Sequence, residues 1–249
     1  MALGHAETIE CFHLGFLAVL RTRLDEGRYV LKGGANLRYF FSSVRYSEDI
    51  DLDISGVEGW RIEEQVDKVL ASDALGIVLR AAGVSVVLED VSKPKQTKTT
   101  RRWKIPVAGA GVREPVRTKV EFSNRNGETR FRLEAVPGEI VRRYAMRPPS
   151  VQHYLLQPAT EQKVYALAGR PETQARDVFD LDLLFGRAPL ADDAVEPHVR
   201  TAAAEAALAL PYEAFEDQVL PFLDPAVADL YDRNAWNQML EHVVEELLR

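Results

Sequence analysis

Residues 31–54 read LKGGANLRYFFSSVRYSEDIDLDI, and the last eight of them decide the fold. Asp49, Asp51 and Asp53 alternate with Ile50, Leu52 and Ile54, the period of two expected of a half-buried strand. Aspartate is a poor strand former, and aspartates lined along one face repel each other. Carboxylates at i and i+2 of a strand point to one side. One divalent cation held by Asp49 and Asp51 together would offset their repulsion, and hard oxygen donors favour Mg2+ or Mn2+. Asp53 shares their face but lies toward the strand end at Ser55-Gly56, and reads as solvent-facing.

Upstream, Tyr29–Lys32 reads as a short strand that stops at Gly33-Gly34. Ala35–Phe41 follows as a brief helix and Ser42–Ser47 as a loop. A glycine turn opening a helix presents backbone N–H groups where phosphate oxygens can sit. Glycine turn, short helix, then a strand bearing Asp-x-Asp is the arrangement of the nucleotidyltransferase fold. Its chemistry uses two metals about 4 Å apart to activate a hydroxyl and hold the leaving pyrophosphate. A third carboxylate is expected from a neighbouring strand. Glu121 in VRTKVEFSNR is the candidate, on the polar side with Arg117 and Lys119, while Val116, Thr118, Val120 and Phe122 face the core.

Further outward, Ile9, Phe12, Phe16, Leu17, Leu20 and Leu24 recur at helical spacing over Glu7–Glu26, with Gly27 as the expected C-cap. His13 beside that stripe is read as structural. Residues 60–82 are expected to be helical in two pieces broken near Gly76. Ser85–Asp90, Arg101–Val107, Val116–Phe122 and Thr129–Leu133 are expected strands. From Pro158 the pattern is helical: Thr160–Leu167, Gln174–Phe185, Pro197–Leu208, Tyr212–Leu220 and Ala226–Leu248. The expectation is an α/β (α+β) protein, a mixed sheet domain over 1–150 followed by a helical domain over 151–249.

Cys11 is the sole cysteine among 249 residues, which excludes an internal disulfide and a thiolate zinc site. No apolar run approaches the ~20 residues of a membrane span. The opening MALGHAETIE lacks a basic region followed by an apolar one, so no signal peptide and a cytoplasmic location are expected. The net charge of −7 is unevenly spread: residues 1–150 carry 24 basic against 20 acidic residues, and residues 196–249 carry 3 against 11. Local potential, rather than net charge, steers a polyanion. Residues 92–104, SKPKQTKTTRRWK, hold six basic residues, no acidic one, and Trp103. Lys98, Arg101 and Arg102 are candidates for RNA phosphates and Trp103 for base stacking.

LKGGANLRYFF and VRYSEDIDLDI resemble the signature of the AbiEii/AbiGii family of nucleotidyltransferase toxins, which includes mycobacterial toxins of the MenT type. The matching residues are Gly33, Gly34, Leu37, Arg38, Arg45, Ser47, Asp49 and Asp51. TEQKVYALAGRPETQARDVFDLDLL is similar to the family's second block through Lys163, Arg170, Arg176, Asp177, Asp180 and Leu181. The resemblance is close over 29–54 and 158–185, loose over the intervening strands, and absent from the last 60 residues. A typical member has Thr or Ser after Gly-Gly; Ala35-Asn36 stands here, which leaves phosphate binding to backbone amides.

What the resemblance implies is specific. Asp49 and Asp51 would be catalytic metal ligands, with Glu121 assisting. Lys32, Gly33, Gly34, Arg45, Ser47 and Arg176 would surround the nucleotide. Lys163 would pair with the triphosphate, Asp177 would orient that lysine or the acceptor hydroxyl, and Asp180 would stabilise its helix. The protein would be a toxin of a type IV toxin–antitoxin system, with a cognate antitoxin encoded nearby. It would transfer NMP from an NTP, CTP or GTP, to RNA, in particular the 3′ acceptor end of tRNA, and so block translation. Two rivals are NMP transfer to a protein hydroxyl and a catalytically inactive binding module of the same fold.

Overall fold

The computed structural model describes residues 2–124 and 130–249. It divides into two compact units, one of residues 1–40 and 46–154, the other of residues 41–45 and 155–249.

The first unit is built on a sheet of eight strands among the described residues. The helix α1 (His5–Leu20) leads into β1 (Tyr29–Lys32), α2 (Gly33–Phe40) and β2 (Asp49–Ile54). Then come α3 (Gly59–Leu70), α4 (Asp73–Arg80), β3 (Val84–Val86), β4 (Ser92–Gln96), β5 (Thr100–Gly109) and β6 (Val116–Asn124). β7 (Phe131–Ala135), the single turn α5 (Gly138–Val141) and β8 (Ser150–Tyr154) complete it. The strand order is β3-β5-β6-β2-β1-β8-β7, with β4 also paired to β5. β2 runs antiparallel to β1 and parallel to β6, and β1 runs parallel to β8. This sheet is therefore mixed.

Twelve of the sixteen α1 residues are buried, as expected of a helix apolar nearly all round. It packs against α3, α4 and one face of β5 and β6. A Cβ on Gly15 would lie 2.9 Å from Leu79 Cδ2, so glycine lets α1 and α4 approach closely. His13 is fully buried and lies 2.7 Å from Thr118 Oγ1, whose proton goes to the Glu48 carbonyl at 2.6 Å. The histidine Nε2 is therefore the donor, and burial pushes its pKa down to about 3. The structural reading of His13 stands, and Thr118 connects it to the carbonyl of Glu48, the residue that precedes Asp49.

Several boundaries differ from expectation. α1 ends at Leu20, and Gly27 (φ +79°) instead serves the turn into β1. The helical stretch after Gly59 breaks at Ser72, whose hydroxyl caps α4 by accepting from Leu75 N–H; Gly76 lies inside α4. Ser85–Asp90 supplies only the end of β3 and a 3-10 turn over Leu88–Asp90. β4 and β8 were not expected. Thr129, the expected start of β7, lies outside the described residues.

The second unit consists of α6 (Leu156–Gly169), α7 (Ala175–Phe185), α8 (Pro197–Leu208), α9 (Tyr212–Gln218) and α10 (Arg233–Leu248). α6 begins before its proline, because Pro158 in a first turn forfeits no helical bond. α10 starts at Arg233 rather than Ala226, capped by Asp232 accepting from Ala235 N–H. Phe179, Phe215 and Trp236 centre its core, and Phe215 and Trp236 stack at 5.0 Å. The short segment 41–45 joins this unit through a bridge between Arg45 and Leu223. No helix among the described residues is long and apolar enough to cross a membrane.

Candidate active site

β1 and β2 bring the two motifs of residues 31–54 together. Their register sets Lys32 opposite Asp51, so Gly33 follows directly beside that carboxylate. Gly33 has φ +68°, and a Cβ there would lie 2.9 Å from Asp51 Oδ2. Backbone conformation and space both demand glycine. Gly34 continues into α2 and is half-buried.

Asp49 and Asp51 share one face of β2, opposite the buried Ile50 and Leu52. Parallel pairing with β6 places Lys119 beside Asp49 and Glu121 beside Asp51. The Lys119 backbone N–H donates to Asp49 Oδ1 at 3.0 Å, and its Nζ lies 2.6 Å from Oδ2. Glu121 is paired with Arg102 at 2.5 Å. Lys119 is absent from the expected site. Its relation to Asp49 depends on a strand register that spans 70 residues, which local pattern does not carry. Ser47, half-buried, gives its hydroxyl proton to the Asp49 carbonyl at 2.8 Å, and so fixes the entry to β2.

Among the described residues no three His, Cys, Asp or Glu side chains gather as a metal-ligand group. The two aspartates nevertheless suit Mg2+, which binds through one or two carboxylates and completes its shell with water and phosphate oxygens. The cations now beside the carboxylates are long side chains, with Lys119 44% and Arg102 34% exposed, and both can swing away.

Three expectations are corrected. Asp53 is buried, not solvent-facing: it pairs with Lys32 Nζ and accepts from the Tyr154 hydroxyl at 3.0 Å. Lys32 is correspondingly committed to Asp53 rather than presented to a nucleotide. Trp103 is fully buried, edge-on to Phe122, with its Nε1–H donated to Asp67 Oδ1 at 3.2 Å, so it cannot stack on a base. Of its neighbours, Lys98 is exposed at the β4–β5 hairpin, and Arg101 is half-buried against Gly59 at the start of α3. Arg102 is the partner of Glu121.

The second unit gathers its own motif. Lys163 is 9% exposed, with Nζ 2.9 Å from Asp177 Oδ1 and 2.6 Å from Asp180 Oδ2. Burial alone would lower its pKa, but Asp177 and Asp180 raise it, so the ammonium stays charged. Asp180 also accepts from Arg45, at 2.9 and 3.0 Å from Nη2. Burial opposes its ionisation, yet Arg45 and Lys163 hold its pKa below the usual carboxylate range. Arg45, expected at the nucleotide, is thus a buried structural ion pair, and Asp180 does more than stabilise its helix. Arg170 approaches Asp177 Oδ2 at 2.8 Å. Arg176 is half-buried on the first turn of α7.

The described geometry agrees with what comparison with known proteins finds. The family model described as "Nucleotidyl transferase AbiEii toxin, Type IV TA system" matches residues 16–249. No curated protein matches the chain. Among solved structures, MenT4, a nucleotidyltransferase toxin from Mycobacterium tuberculosis H37Rv, is similar with a TM-score of 0.65 at 18% identity. That alignment covers 98% of this chain and 84% of the other. The crystal structure of JHP933 from Helicobacter pylori is similar with a TM-score of 0.62 at 17% identity, covering 99% and 92%. At such identities the structural likeness speaks for the fold, and the family match speaks for the lineage. The chain belongs to the AbiEii family of nucleotidyltransferase toxins of type IV toxin–antitoxin systems.

Proposed function

We propose that this nucleotidyltransferase transfers NMP from an NTP, CTP or GTP, to an RNA acceptor, with the 3′ end of tRNA as the acceptor of choice. The observation that carries the reading is the Asp49/Asp51 pair on one strand face, with the Gly33 backbone packed against Asp51 too closely for any side chain. Asp49 and Asp51 would hold Mg2+ or Mn2+, with Glu121 assisting. The bound metal would supply charge at the transferring phosphoryl group and activate the acceptor hydroxyl. Backbone amides at Gly33 and Gly34 would take phosphate oxygens, since Ser47 has already given its proton to a carbonyl. In the helical unit, Lys163, Asp177 and Arg176 are carried forward as candidates for the triphosphate, with Asp177 orienting the ammonium through the 2.9 Å contact. A toxin of this kind acts opposite an antitoxin, and the adjacent reading frame is where that partner is to be sought.

The test is incorporation of α-labelled NTPs by the purified protein, supplied with a tRNA pool or with protein extract. Label in tRNA is expected, dependent on Mg2+ or Mn2+. Label confined to protein would replace the acceptor with a protein hydroxyl. Failure to bind NTP with either metal by calorimetry would leave an inactive module of the fold.

A further inference from the structure

The basic run that the sequence shows as one stretch is split by the sheet into two populations. On β6, Val120 and Phe122 are buried and Thr118 bonds to His13 of α1, so the even positions face the helices. Arg117, Lys119 and Glu121 therefore lie on the other face, with Asp49 and Asp51. On β5 the parity is fixed by Trp103 and Ile105, both fully buried. Arg101 thus turns with Trp103 toward the helix side, while Arg102 and Lys104 turn to the carboxylate side.

Register then places like charges opposite one another on that carboxylate side. Lys104 pairs with Lys119 across β5 and β6, and Lys95 pairs with Arg102 across β4 and β5. Directly opposed like charges destabilise a sheet. Lys119 and Arg102 are balanced by Asp49 and Glu121. Lys95, Lys104 and Arg117 are exposed, and among the described residues none of them forms an ion pair. The excess positive charge begins at the catalytic carboxylates and runs outward across three adjacent strands. A polyanion laid across this face would relieve the repulsion.

We propose that the carboxylate-bearing face of β4, β5 and β6 binds the phosphate backbone of the RNA acceptor through Lys95, Lys104, Arg117 and Lys119. This rests on the reading of RNA as acceptor, and it moves the contact away from Lys98 at the β4–β5 hairpin and from Arg101 and Trp103 to the opposite face of β5. No aromatic ring is among these four residues, so the contact reads phosphates rather than bases and supplies affinity without sequence choice. Specificity for the acceptor end would come from elsewhere in the site.

The experiment is fluorescence anisotropy of a labelled tRNA pool with the full chain, at salt concentrations from about 50 to 200 mM. Lys104→Ala/Arg117→Ala is compared with Lys98→Ala/Arg101→Ala, and Lys104→Gln/Arg117→Gln serves as a second version should the first melt early. The first pair is expected to weaken binding at least about tenfold and to reduce the slope of log Kd against log salt by about 1.4 to 1.8. The second pair is expected to change affinity less than about threefold. Equal losses in both pairs, or a loss confined to Lys98 and Arg101, would overturn the assignment of the face while leaving RNA as the acceptor. A wild-type chain that binds no tRNA would overturn both.

Discussion

A methyl group on Gly33 would stand 2.9 Å from Asp51 Oδ2, in a backbone with φ +68°. Gly33→Ala therefore strains the turn by about 1–2 kcal/mol and also displaces a candidate metal ligand. A fold with a slightly lowered melting temperature but severely reduced nucleotide incorporation is expected; retained activity would show that the close approach is incidental. Lys119 bonds Asp49 twice, once through its backbone and once through Nζ. Only the second bond is lost in Lys119→Met, which removes a cation that would compete with a metal bound at Asp49. Binding of Mn2+, followed by its paramagnetic resonance signal, should tighten about two- to fivefold, the worth of a partly exposed ion pair. Weaker Mn2+ binding in that variant would show the ammonium to be a support instead of a competitor. Asp53 shows how a correct face assignment can still mislead: alternation puts it beside Asp51, but its partners Lys32 and Tyr154 come from two neighbouring strands.

Elements whose pattern is local were legible, and those defined by pairing were not. β1 and β2 match expectation to the residue, because apolar alternation and the Gly-Gly stop lie within 26 residues. β4, SKPKQ, has no alternation at all; it exists because β5 offers a ladder, and Pro94 is tolerated on a strand with one partner. β8 follows a proline-rich stretch that reads as a linker, yet it lies parallel to β1. The basic run concealed the parity of β5, which only the burial of Trp103 and Ile105 discloses. Arg45 and Asp180 stand 135 residues apart, and nothing in either motif announces their pairing. Arg45→Met would leave the buried Asp180 with Lys163 alone, a cation it shares with Asp177. Unfolding stability should therefore fall by about 3 kcal/mol, the low end for breaking a buried pair, in urea titrations. A loss below ~1 kcal/mol would place this pair in the class of surface bridges. α1 makes a pH prediction through His13. Its folded pKa, about 3, lies below the unfolded value near 6.5. The unfolded chain thus binds the extra proton between those values, and the stabilising effect of the neutral ring is present above ~6.5 and lost as pH falls toward ~3. His13→Gln should be less stable at neutral pH but show a flatter stability profile between about pH 6 and 4, by up to ~1.4 kcal/mol per pH unit. Parallel profiles for wild type and variant would contradict the buried neutral histidine.

Across the whole chain, the basic excess of residues 1–150 contrasts with the acidic character of residues 196–249. The sheet unit carries the carboxylates of β2 and, beside them, the lysines and arginines of β4 to β6. The helical unit holds Lys163 buried between two aspartates. Family membership assigns nucleotidyl transfer to the chain, and Asp49 and Asp51 are the proposed seat of that chemistry. A metal held there would stabilise the transferring phosphate by several kcal/mol, hence at least about 100-fold in rate. The most direct measurement is α-labelled NTP incorporation by Asp49→Asn and Asp51→Asn proteins, alongside growth of cells on induction. Each variant should fold with a melting temperature close to wild type, lose at least about 100-fold in incorporation, and permit growth. Incorporation at the wild-type rate in either folded variant would contradict the assignment of the reaction to this strand.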